Sequence, residues 1–122
     1  WMTKQPATVG PDTSIGAALG RMRRAEVRHL LVVEADRLVG IVSHRDWRRV
    51  QGAETPAAWE GQAIARIMTE DPVTVAPETP VTVAARVLLE RRIGCLPVRD
   101  GETIVGIFTT SDALDALLSA LG

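Results

Sequence analysis

Two amphipathic patterns and two pairs of short apolar runs recur in the same order along this chain. Ile15, Ala18, Leu19 and Met22 stand at i, i+3, i+4 and i+7, the spacing of one buried helix face. Val81, Ala84, Ala85 and Leu88 repeat that spacing. "HLLVVE" and "CLPVRD" follow the two patterns and read as strands. "ADR" and "GET" then read as turns, and "LVGIV" and "IVGIF" as the returning strands of hairpins. A second helix follows each hairpin, in "HRDWRRV" and in "SDALDALLSAL". Ahead of each first helix, "PATV" and "PVTV" read as short extended pieces.

The two halves superpose with a shift of 66 residues, Met2 falling on Met68, with no gap. Pro6/Pro72, Thr8/Thr74, Pro11/Pro77, Gly40/Gly106 and Asp46/Asp112 are identical across that register. Two copies are too few for a solenoid, so they imply a two-fold pseudo-symmetric pair sharing a core. Each half reads β-α-β-β-α, an α+β unit. The expected organisation is a first repeat over 1–50, a linker over 51–62 and a second repeat over 63–122. Asp12 or Thr13 is placed to cap the first helix. Thr79 is placed to cap its counterpart, with Pro80 at the first helical position.

Composition narrows the function classes. Apolar residues make up 46% and charged residues 24%, with a net charge of −1. That balance fits a globular domain and speaks against a protein held on nucleic acid by phosphate contacts, despite Arg21, Arg23, Arg24, Arg45, Arg48 and Arg49. The single cysteine, Cys95, allows no internal disulfide and fits a reducing compartment such as the cytoplasm. No apolar run is long enough for a membrane helix, and no secretory leader is visible. The start "WM" reads as a trimmed N-terminus.

The motif written twice is Gly-Ile-x-(Ser/Thr)-x-x-Asp, "GIVSHRD" and "GIFTTSD". Ser43 with Asp46, and Thr109 with Asp112, have capping-box spacing at a helix start. The same geometry suits a nucleoside phosphate. A hydroxyl and free amides at a helix N-terminus hold an anion, and a carboxylate accepts from both hydroxyls of a ribose. The first copy is followed by His44, Arg45, Arg48 and Arg49, and the second by neutral residues. A metal site lacks ligands at suitable spacing. Cys95 lacks the base a nucleophile needs, and it reads as a small buried residue. No acid–base set is visible, so an enzyme is not expected. Trp47, ahead of 51–62, and Trp59, near its end, read as packing residues. Leu114, Leu117, Leu118 and Leu121 suit core, a dimer face, or both.

"MT..P.TV.P.T", an amphipathic helix, then "LPV.D....VGI.T..D" resembles the CBS domain, named after cystathionine β-synthase. The resemblance covers nearly the whole chain in two copies, the tandem arrangement called a Bateman module. It implies two repeats packed sheet to sheet about a pseudo-two-fold axis, with two clefts for AMP, ADP, ATP or S-adenosylmethionine as reversible ligands and no tightly bound cofactor. It also implies a homodimer and regulation of a partner protein or of an attached output domain. One cleft would use Thr109, Ser111 and Asp112 with Ala7, Val27, Arg28 and His29. There Asp112 would hold the ribose, Thr109 the phosphate, and Ala7 and Val27 the adenine. The other would use Ser43, Arg45 and Asp46 with Val73, Ile93, Gly94 and Cys95. Either cleft could draw cationic help for a phosphate, the first from Arg28 and His29. The chain departs from the family pattern at Leu31, where the second copy has Pro97, and at Arg99. A ligand-free module that only holds a dimer together is the competing reading.

Overall fold

A computed structural model describes residues 1–4 and 6–122. The elements run β1 (Thr3–Lys4), β2 (Thr8–Val9), α1 (Ile15–Ala25), β3 (His29–Glu34), β4 (Arg37–Ser43), α2 (His44–Ala53), α3 (Pro56–Trp59), β5 (Thr69–Glu70), α4 (Val81–Arg91), β6 (Cys95–Asp100), β7 (Thr103–Thr109) and α5 (Thr110–Leu121). A single 3₁₀ turn covers Ile64–Arg66. The strands form two sheets, ordered β2-β3-β4-β5 and β1-β7-β6. The protein is α+β, as its patterning implies.

The chain divides into two compact units, Ala7–Pro72 (the N-unit) and Trp1–Pro6 with Val73–Gly122 (the C-unit). These bounds differ from those of the sequence repeats at the opening strand of each repeat and over the stretch that joins them. The opening strand of each repeat pairs with the closing strand of the other repeat. β1 runs antiparallel to β7, with Lys4 opposite Gly106. β5 runs antiparallel to β4, with Glu70 opposite Gly40. The two glycines permit this. A Cβ on Gly106 would stand 2.6 Å from the Thr3 carbonyl oxygen, and one on Gly40 would stand 2.5 Å from Met68 Sδ.

In the N-unit, Ile15, Ala18, Leu19 and Met22 are all buried, and they meet Leu30, Val32 and Val42 of the sheet in one core. In the C-unit, Ala84 and Leu88 are buried with Leu96, Val98 and Phe108, while Val81 packs at the margin. Stretch 51–62, expected as a linker, is built into the N-unit. α2 continues to Ala53, α3 follows, and Trp59 is 4% exposed within the core. Its burial bears out the packing reading of that tryptophan.

The caps differ from the expected ones. Ser14, not Asp12 or Thr13, caps α1 by accepting from the Ala17 amide at 3.1 Å. Pro80 is itself the cap residue of α4, with ψ 143°, and Val81 opens the helix. The Thr79 hydroxyl is turned back to accept from the Ala76 amide at 3.0 Å. An extended Pro80 forces this, because the helix can begin only after it.

Pro97 accounts for a further difference between the repeats. In the N-unit, the Leu31 amide donates to the Ala7 carbonyl, and β2 pairs with β3 over two residues. Pro97 stands at the Leu31 position and has no N–H to give. The equivalent pairing in the C-unit shrinks to one bridge, Val75 with Val98.

Candidate functional site

Both copies of the repeated motif form complete capping boxes. The Ser43 amide donates to Asp46 Oδ2 at 2.8 Å, and the Asp46 amide donates to Ser43 Oγ at 3.2 Å. The Thr109 amide donates to Asp112 Oδ2 at 2.9 Å, and the Asp112 amide donates to Thr109 Oγ1 at 3.2 Å. Each box consumes one carboxylate oxygen. Oδ1 of both aspartates has no hydrogen-bond partner among the described residues, and both side chains are half-buried. The hydroxyls differ. Ser43 gives its proton to Asp46 Oδ2 at 3.1 Å, whereas Thr109 keeps its own free among the described residues.

The hairpin register sets what stands beside each box. His29 lies opposite Ser43, and the His44 amide donates to the Arg28 carbonyl at 2.8 Å. Glu26, left-handed at φ 55°, ends α1 and turns the chain so that the Val27 amide closes on the Met22 carbonyl. Ala7, Val27, Arg28 and His29 therefore gather with Ser43, Arg45 and Asp46 at one end of the N-unit sheet. The C-unit repeats this layout. Cys95 lies opposite Thr109, the Thr110 amide donates to the Gly94 carbonyl at 3.1 Å, and Arg92 at φ 55° ends α4 ahead of Ile93. Val73, Ile93, Gly94 and Cys95 thus gather with Thr109, Ser111 and Asp112. Each residue set implied by the resemblance draws on both units. Within one unit, the structure brings the acidic half of one set beside the apolar half of the other.

Electrostatics separates the two ends. Burial pushes the His29 pKa below 6.5. The Asp46 carboxylate offsets this in part, and Arg28 and Arg45 add to the lowering. That lowering favours the neutral form of His29 over the imidazolium that a phosphate would draw on. Arg28 and Arg45 are exposed and close enough to His29 to act on it. Burial, with Asp112 adding to it, pushes the Cys95 thiol up to about 12, so it is neither thiolate nor nucleophile near pH 7. A groove of about 290 Å³ in the N-unit has Asp46, Arg49 and Arg66 among its walls. Arg66 is ion-paired with Glu54. Arg49 has no ion-pair partner among the described residues. Arg66 lies beyond the repeated motif, so no sequence signal points to it.

Comparison with known proteins places these motifs in context. The CBS domain model matches residues 1–52 and 64–119. The chain is 31% identical to a CBS domain-containing protein of Dictyostelium discoideum, over 98% of this chain and 90% of that one. It spans 21% of the length of an inosine-5′-monophosphate dehydrogenase from Methanocaldococcus jannaschii that it also matches. Among solved structures, it is similar to CBSX2 in complex with AMP, with a TM-score of 0.86, 30% identity and coverage of 99% of this chain and 95% of that one. It is likewise similar to the CBS domain pair of protein MJ0100 in complex with 5′-methylthioadenosine and S-adenosylmethionine. There the TM-score is 0.84, the identity 27%, and the coverage 99% of this chain and 94% of that one.

Proposed function

The chain belongs to the CBS domain family, of which it carries two copies, and from that premise we propose that it is a regulatory module that reversibly binds an adenosyl ligand. The candidates are AMP, ADP, ATP and S-adenosylmethionine. The observation that carries this reading is the free Oδ1 beside each completed cap. One aspartate can hold its helix start through Oδ2 and receive a ribose hydroxyl through the other oxygen. In this reading Asp46 and Asp112 take ribose hydroxyls, and Ser43 and Thr109 face phosphate with the helix-start amides. Ala7, Val27, Val73 and Ile93 offer apolar surface to adenine. Arg28, Arg45, Ser111 and His29 border the ligand, as do Gly94 and Cys95. The ligands named with CBSX2 and with the MJ0100 pair support the adenosyl class.

Binding would act by shifting populations, to the extent that the ligand prefers one arrangement of the protein over another. The output would pass to a partner protein in the cytoplasm, with no chemistry performed by this chain. The exposed Leu114, Leu117, Leu118 and Leu121 support a second copy as one partner. A second reading, a ligand-free dimerisation module, draws support from the completeness of both capping boxes, which explains each aspartate without a ligand. Calorimetric titration of AMP, ATP and S-adenosylmethionine separates the two. Heat of binding from at least one is expected, and silence from all three together with an unchanged Tm leaves only the dimerisation module.

A further inference from the structure

Equivalent helices of the two units differ in surface chemistry. Arg21, Arg23 and Arg24 lie on α1, and Arg45, Arg48 and Arg49 on α2. All six are exposed, and none has an ion-pair partner among the described residues. Under the 66-residue shift, Val87, Leu89, Glu90, Ser111, Leu114 and Asp115 take their places in the C-unit. The basic face therefore belongs to one copy and is no part of what the two copies share.

The two helices present these charges together. Val50 is buried beneath α2, and Arg45, Arg48 and Arg49 lie on the other side of that helix. The Arg23 guanidinium stands over the Trp47 ring at 5.6 Å, which ties α1 to α2. α1 holds no carboxylate. The one acid of α2, Asp46, is half-buried and bound to its own cap.

Stability does not account for this arrangement. Arg21 with Arg24, and Arg45 with both Arg48 and Arg49, are like charges three or four residues apart, a spacing that destabilises a helix. Arg45 is the second residue of α2, against the positive end of the helix dipole. Carboxylates brought from outside would relieve both costs. Arginine suits them, because its planar fork takes a carboxylate through two parallel hydrogen bonds.

Size and surroundings select among anions. α2 is 10 residues long, about 15 Å. Glu26 borders the face where α1 ends, and Glu54 where α2 ends. A nucleic-acid duplex or an anionic membrane would extend past the patch onto acidic ground, whereas a few turns of acidic helix would not. The same face of a second copy would set arginine against arginine. Its C-unit counterpart offers only Glu90 and Asp115 against six cations.

We propose that the α1–α2 face of the N-unit docks an acidic helical segment of a partner protein, with carboxylates three or four residues apart. The proposal goes beyond the adenosyl reading and does not rest on it, since the face shares only Arg45 with the residues assigned there.

The test is fluorescence anisotropy with the full chain and no nucleotide present. The probe is a labelled alanine-based peptide of about 14 residues with glutamate at every fourth position. Saturable binding is expected. Arg24→Glu with Arg48→Glu should weaken it at least about tenfold, and the milder Arg24→Gln with Arg48→Gln should weaken it less. Arg86→Glu with Arg91→Glu, on α4, should leave it unchanged, with circular dichroism showing every variant folded. No saturable binding, an equal loss from the α4 variant, or undiminished binding of a peptide with glutamine in place of glutamate overturns the proposal. Tighter binding of a short DNA duplex, or of vesicles of equal parts phosphatidylcholine and phosphatidylserine, assigns the face to nucleic acid or membrane and overturns it as well. Loss of a dimer from the Arg24, Arg48 variants in ultracentrifugation assigns the face to a second copy, with the same consequence.

Discussion

At the residue scale, the aspartates of the two motifs each hold a helix start with one oxygen and leave the other free, so two substitutions separate the roles. Asp112→Ala removes the acceptor of the Thr109 amide and should cost about 1 kcal/mol of stability, measured by urea unfolding. Asp112→Asn keeps an acceptor for the cap and should cost less, yet it offers a poorer partner to a ligand diol. His29 gives a pH signature. Its folded pKa lies below 6.5, so below that pH the unfolded chain binds the proton first. Its contribution to stability is therefore full above about pH 6.5, is lost as pH falls toward the folded pKa, and levels off below it. His29→Gln should flatten that part of a Tm-versus-pH curve between pH 7.5 and 5.5. Cys95, 5% exposed with its thiol raised to about 12, should resist a thiol reagent at pH 8 until the protein is unfolded. The aspartate and hydroxyl roles were legible because capping-box spacing is a local rule. The lowered pKa of His29 was not, since it follows from burial that only the hairpin register creates.

At the scale of elements, the helices and hairpins followed their periodicity, whereas the exchange of opening strands did not show in it. A two-residue strand carries no period, and its partner is chosen by how closely another backbone can approach. Gly106 records that choice. Gly106→Ala would bring a methyl against the Thr3 backbone oxygen, and β1 must move to admit it. Gly40→Ala meets chiefly the flexible end of Met68. The first substitution should therefore cost more than the second, by about 1–3 kcal/mol, with the loss seen as faster amide exchange along β7. A negligible cost at Gly106 would mean that β1 contributes nothing to the C-unit. The misplaced caps have a similar origin. Ser14, Thr13 and Asp12 are all good cap residues, and the pairing of Ser14 with Ala63 selects among them from a distance.

At the scale of the whole molecule, a duplicated α+β unit was legible from the 66-residue register, and the family match over both copies agrees with it. The folding of residues 51–62 into the N-unit was not, because its turn formers and its Trp59 point in opposite directions until the core around Trp59 is known. The leucines of α5 fill no core of their own unit, being 52–78% exposed, so their burial must come from elsewhere or not at all. In the function proposed above, both aspartates serve a ligand as well as a helix. Calorimetric titration of AMP, ATP and S-adenosylmethionine into the wild-type chain and into the Asp46→Ala, Asp112→Ala double variant tests it most directly, with circular dichroism showing that the variant is folded. The predicted result is saturable heat from at least one ligand in the wild type and none in the folded variant, and heat that survives undiminished in the variant would contradict the claim.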